Sequence, residues 1–90
     1  MIYQWDSDKE ISNFQKHGIA FADAIGVFED SYAITVEDPD SEGEQRFITI
    51  GVDFLGRPLV IAYAYRGEAI RLISARPATK KEIKNYERGI

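Results

Sequence analysis

Apolar positions change their period partway along this chain. Ile2–Trp5 is a short apolar run and predicts a first strand. Ser7 and Glu10 then stand in a capping-box spacing, in which each side chain satisfies an orphan backbone donor at a helix start. That helix is expected to reach about His17, with Gly18 as its left-handed stop and Ile11 and Phe14 as a narrow apolar face. Phe21, Ala24, Ile25 and Phe28 recur at i, i+3, i+4 and i+7, which predicts a second amphipathic helix ending near Asp30. Beyond it the period shortens to two. Tyr32–Val36, Gln45–Phe54, Pro58–Arg66 and Ala69–Ala75 read as strands, joined by an acidic loop (37–44), the turn Leu55-Gly56-Arg57 and the tight turn Gly67-Glu68. A second capping box, Thr79-x-x-Glu82, opens a last helix that buries Ile83 and Tyr86 and shows Lys80, Lys81, Lys84 and Arg88 to water.

This order implies an α+β domain: a small antiparallel sheet, two N-terminal helices on one face, and a C-terminal helix. Hairpin pairing sharpens the picture. If Arg66 faces Ala69, then Ala64 faces Arg71 and Ala62 faces Ile73; a four-residue loop before that sets Thr49 beside Ala62 and Phe47 beside Ala64. One face then carries Ile48, Ile50, Leu59, Ile61, Tyr63, Ile70 and Leu72. The other carries Thr49, Gly51, Ala62, Ala64, Ala75 and Arg71, a shallow, basic surface of small residues. A slip of one residue would exchange the faces.

Charge changes that picture. The chain has 11 Lys+Arg against 15 Asp+Glu. Residues 1–56 hold three basic and twelve acidic side chains, a net of −9, whereas residues 57–90 hold eight and three, a net of +5. An anionic substrate or partner met by one end of the molecule fits this division. Ninety residues make one domain with a modest core. There is no cysteine, so neither a disulfide nor a thiolate metal site is available. No apolar run approaches the length of a membrane span, and a cytoplasmic location away from membranes is expected.

Six residues are candidates for chemistry. His17 can move a proton near neutral pH, with Lys16 beside it to favour a phosphate; the same pair also suits an ordinary helix C-terminus, where cations favour the dipole. Arg71 and Arg76 offer planar, two-pronged donors matched to phosphate oxygens, or else structural ion pairs with acids such as Glu44 or Asp53. Glu44 is a candidate base or a partner for an arginine, and Arg46 follows it at a strand start. No acid–histidine cluster has metal-ligand spacing, and no metal or cofactor is expected.

Several of these residues recur in one pattern. Trp5-Asp6, Asn13, Lys16-His17-Gly18-Ile19, Phe21, Ala24 and Val27-Phe28-Glu29-Asp30, then Gly43-Glu44-x-Arg46, Ile50-Gly51 and Arg71-Leu-Ile-Ser-Ala-Arg76-x-Ala78 with Glu82 and Tyr86, resemble the BrnT family of type II toxins over nearly the whole chain. Leu72 stands where that pattern commonly has isoleucine. The resemblance implies a RelE-like fold and an endoribonuclease that arrests translation. It implies neutralisation by a BrnA-like ribbon-helix-helix antitoxin that dimerises and binds operator DNA, so that the toxin meets DNA only through its partner. Lys16, His17, Glu44, Arg46, Arg71 and Arg76 fall on the family's recurrent polar positions. A metal-independent nuclease is the leading expectation, with His17 or Glu44 transferring protons and the arginines converging on one open pocket. A catalytically inactive antitoxin-binding module, or corepressor, is its rival.

Overall fold

β-Branched and aromatic residues crowd the second half of the chain, and they pair there as edge-to-edge ladders. The structure, a computed structural model, describes residues 1–89. Its strands are β1 (Ile2–Gln4), β2 (Ile34–Glu37), β3 (Phe47–Val52), β4 (Pro58–Arg66) and β5 (Ala69–Pro77). They form one five-stranded sheet in the order β1-β5-β4-β3-β2. β2 to β5 make the expected antiparallel meander, but β1 pairs with β5 in parallel, so the sheet is mixed. Helix α1 (Ser7–His17) and the short α2 (Phe21–Ala24) follow β1, and α3 (Lys80–Arg88) closes the chain.

The second expected helix tightens after one turn into a 3-10 helix, Ile25–Glu29. Gly26 lies inside it, where an added Cβ would stand 2.5 Å from the Phe54 backbone nitrogen. The loop between β3 and β4 can approach only because that side chain is missing. Residues Phe21, Val27, Leu59, Ile61, Ile70 and Leu72 are fully buried between this segment and the sheet. Each such side chain contributes about 1.5–3 kcal/mol by leaving water.

Two shifts of pairing revise the expected faces. The β4–β5 turn holds as read, with Arg66 opposite Ala69 and Ala64 opposite Arg71. Thr49, however, lies opposite Ile61 rather than Ala62, one residue away from the expectation. Thr49 therefore turns inward, where its hydroxyl meets those of Tyr63 and Thr35 at 2.8 Å each. Gly51 follows it to the helix-packing face, and Ile48 and Ile50 move to the second face. Further on, Tyr63 pairs with Leu72 but Ala62 pairs with Ser74, so Ile73 is the extra residue of a β-bulge. In a regular strand Arg71 and Arg76, an odd number of residues apart, would point to opposite faces. The bulge puts Arg71, Ser74 and Arg76 on one face and sends Ala75 into the core.

Other expectations also give way at the helices. Asp6, not Ser7, caps α1, its carboxylate accepting from the Asp8 and Lys9 amides. Ile11 and Phe14 are 56% and 54% exposed, and α1 buries Asn13 instead. The second capping box is as read, but Ile83 and Tyr86 are only half-buried.

Candidate functional site

β1 is three residues long, so the outer edge of β5 is unpaired beyond Arg71. Asn13 takes over where β1 stops. Its amide nitrogen donates to the Ala75 carbonyl at 2.9 Å and to the Ile19 carbonyl at 3.2 Å, and its oxygen accepts from the Ala75 amide at 3.1 Å. One side-chain amide thus plays the part of a strand peptide and seats α1 against β5. Gly18 then ends the helix in the left-handed region at φ 71°, its amide donating to the Phe14 carbonyl.

This seating places Lys16 and His17 at an open cavity of about 350 Å³, walled also by Asp8, Lys9, Ser12, Asn13, Ile73 and Ser74. The pair stands both at a helix C-terminus and at the wall of this hollow. Lys16 and His17 occupy the last turn of α1, where positive charge complements the dipole, and they face a hollow beside the strand that carries both candidate arginines.

Arg71 lines a second cavity of about 590 Å³ with Tyr3, Gln4, Trp5 and Asp6. The two hollows follow one another along the edge of β5, since Arg71 and Ser74 lie within about 10 Å of strand. On the second face Arg71 pairs laterally with Gln4 on one side and Ala64 on the other. Phe47, the first residue of β3, lies opposite Tyr63, and Arg46 immediately precedes it. Continuing that register by one residue sets Arg46 and Arg71 on either side of Ala64, with their backbones two strand spacings, about 10 Å, apart. The Arg46 Nε is buried without a hydrogen-bond partner. Arg71 and Arg46 form no ion pair among the described residues.

The remaining candidates are engaged elsewhere. Glu44 pairs with the Arg66 guanidinium at 2.6 Å. Arg76 grips Glu82 with two bonds of 2.8 Å and so ties the start of α3 to the second face. The Arg76 guanidinium, the largest influence, holds the Glu82 carboxyl down to about 2 against the upward push of burial. The structural partner of Arg76 is thus Glu82, and that of Asp53 is Arg57 at 2.7 Å. The expected single pocket of converging guanidinium groups is replaced by two neighbouring hollows and one row of arginines. A second clamp fixes the other end of α3. The Tyr86 hydroxyl donates to Asp30 at 2.6 Å, and that bond above all pushes Tyr86 up to about 12.

Sequence reading did not single out Lys9, Ser12, Ser74, Tyr3 and Gln4. Lys9, Ser12 and Lys16 share one helix face by their spacing, which is a legible signal. Ser74 was hidden because its orientation depends on the bulge.

Among the described residues no group of three or more His, Asp or Glu side chains stands close enough to hold a metal ion. No helix among them is long and apolar enough to cross a membrane.

Comparison with known proteins agrees with this architecture. The crystal structure of the Brucella abortus ribonuclease toxin BrnT, at 1.1 Å resolution, superposes with a TM-score of 0.65 at 25% sequence identity. The match covers 89% of this chain and 100% of that one. No curated protein matches the sequence. A family model described as the ribonuclease toxin BrnT of type II toxin-antitoxin systems matches residues 5–82. With α1, strands β2 to β5 and the start of α3 inside that match, the chain belongs to the BrnT family of type II ribonuclease toxins.

Proposed function

We propose that this chain is a cytoplasmic endoribonuclease that cuts RNA without a metal ion, and so arrests translation until a protein antitoxin binds it. The observation that carries this reading is the edge of β5. An arginine with no ion pair among the described residues, a lysine and the only histidine lie along it beside open hollows. Arg71 and Arg46 hold the non-bridging oxygens of a phosphodiester, and Lys16 adds charge. His17 takes the proton of a ribose 2′-hydroxyl. The freed oxygen attacks the adjacent phosphorus, the bond to the 5′-oxygen breaks, and that oxygen receives a proton, leaving a 2′,3′-cyclic phosphate and a 5′-hydroxyl. Glu44, held by Arg66, orders the rim of this face, and Arg76 acts through the position of α3. Family membership supports a protein antitoxin. The reading extends this to a BrnA-like ribbon-helix-helix protein that alone contacts operator DNA, and to a RelE-like use of the open sheet face.

The test uses antitoxin-free protein and a defined RNA with and without a chelator. The expected products carry cyclic phosphate ends in both samples. Cleavage that stops with chelation would overturn metal independence, and no cleavage in either sample would overturn the nuclease reading.

A further inference from the structure

The hollow around Arg71 has a composition that phosphate binding alone does not use. Two aromatic residues, an amide, a carboxylate and an arginine wall it, and four of the five come from the consecutive segment Tyr3–Asp6. Tyr3 and Trp5 alternate with Gln4 and Asp6, so the aromatic pair leans to the helix side of the sheet edge and the polar pair to the other. Both rings are half-buried. Tyr3 stacks on Phe28 at 5.5 Å and Trp5 meets Phe21 edge-on at 5.8 Å, contacts that hold them firmly. Asp6 has one carboxylate oxygen committed to the cap of α1, and the other makes no hydrogen bond among the described residues. Arg71 stands laterally beside Gln4.

Single-stranded RNA is read by just this combination. Unstacked bases rest on aromatic rings, their edges meet side-chain amides and carboxylates, and arginine takes the phosphate. A carboxylate only accepts hydrogen bonds. It favours a base edge that carries an exocyclic amine and opposes the two carbonyls that flank the single donor of uracil.

We propose that the hollow formed by Tyr3, Gln4, Trp5, Asp6 and Arg71 is a nucleotide subsite that takes a base bearing an exocyclic amine, its phosphate on Arg71. It selects guanine, adenine or cytosine over uracil next to the scissile bond. This inference rests on the proposed nuclease reading for its biological meaning, but the binding it describes can be measured without cleavage.

Trp5 is the only tryptophan in the chain and reports directly on its own cavity. The full-length, antitoxin-free protein is titrated with GMP, AMP, CMP and UMP, with indole fluorescence excited at its red edge. Saturable quenching is expected for the three amine-bearing nucleotides, with UMP at least about fivefold weaker, the value of one hydrogen bond. Arg71→Gln weakens all four alike. Asp6→Asn keeps the helix cap, since asparagine caps as well as aspartate, but it adds donors that uracil can use, so the UMP gap closes to about twofold or less. Circular dichroism confirms that each variant is folded; should Arg71→Gln fail to fold, Asp6→Asn still decides. No saturable quenching, or equal affinity for UMP in the wild type, overturns the subsite. Cleavage of a mixed RNA by the same preparation reads the other proposal. Cutting without base-dependent quenching removes the subsite alone, whereas base-dependent quenching without cutting supports the subsite and removes the nuclease.

Discussion

Asn13 connects helix, sheet and site, so its removal is the most searching test of the fold. Asn13→Ala leaves three main-chain groups without partners, the Ala75 amide and carbonyl and the Ile19 carbonyl. An unsatisfied buried group costs about 1–3 kcal/mol. Asn13 is 7% exposed, and water can reach the strand edge once the side chain is shortened, so the total is about 3 kcal/mol. A domain of this size has roughly 5–13 kcal/mol to lose. Each kcal/mol moves the midpoint by about 4–8 °C, so thermal unfolding followed by circular dichroism is expected to drop by about 12–24 °C. Asn13→Asp keeps the acceptor for the Ala75 amide but sets a carboxylate oxygen against two carbonyls, and is expected to be at least as damaging at neutral pH. The exposed neighbour Gln15→Ala serves as control, within about 0.5 kcal/mol of wild type. A midpoint for Asn13→Ala within about 4 °C of wild type would refute the claim that this amide seats α1.

Three more expectations follow from the clamps and the close approach. Glu82 is depressed to about 2, so its stabilisation is complete above the ordinary value of 4.5 and is lost as pH falls from there through 2; Glu82→Gln should flatten that acid limb and cost about 1 kcal/mol at neutral pH, the pair being partly exposed, as read by urea unfolding against pH. Tyr86 is raised to about 12, so its bond to Asp30 is intact below pH 10 and is lost as pH rises through 12; Tyr86→Phe should remove that alkaline loss and cost about 1.5–3 kcal/mol at neutral pH in the same assay. Gly26→Ala would press a methyl group to 2.5 Å from the Phe54 nitrogen and should destabilise by about 3 kcal/mol or more by thermal unfolding, whereas Gly18→Asn, at an open left-handed position, should cost little.

Much of this fold is legible in the order of residues, and the misreadings share causes. The β4–β5 turn announces itself because Gly67 at φ 60° fixes a two-residue connection, so the facing of Arg71 and Ala64 can be read directly. The next connection is longer, and its register slips by one because Asp53 organises the loop, accepting from the Leu55 and Arg57 amides. Such a carboxylate-centred turn leaves no periodic trace. Ile73 looks like any strand residue, and its bulge exists only against β4, so the shared face of Arg71 and Arg76 was out of reach. α1 was misjudged for a different reason. Its apolar pair, Ile11 and Phe14, suggests a buried stripe, yet the helix meets a sheet edge whose unpaired peptide groups need an amide more than a hydrocarbon. Lys16, His17 and Arg71 can be picked out as candidates because rare polar residues beside strand and helix ends stand out. Which of the six candidates share a hollow was decided by tertiary pairing, as Glu44 with Arg66 and Arg76 with Glu82 illustrate.

The central claim is that side chains along the outer edge of β5 cut RNA. Antitoxin-free wild-type protein and the double variant His17→Ala, Arg71→Ala, matched for folding by circular dichroism, are incubated with one RNA, and the initial rates of cleavage are compared. The account predicts cleavage by the wild type and a loss of at least about 10²-fold in the variant, the usual share of a positioned proton-transfer group. Equal rates from the two proteins, or intact RNA with both, would contradict it.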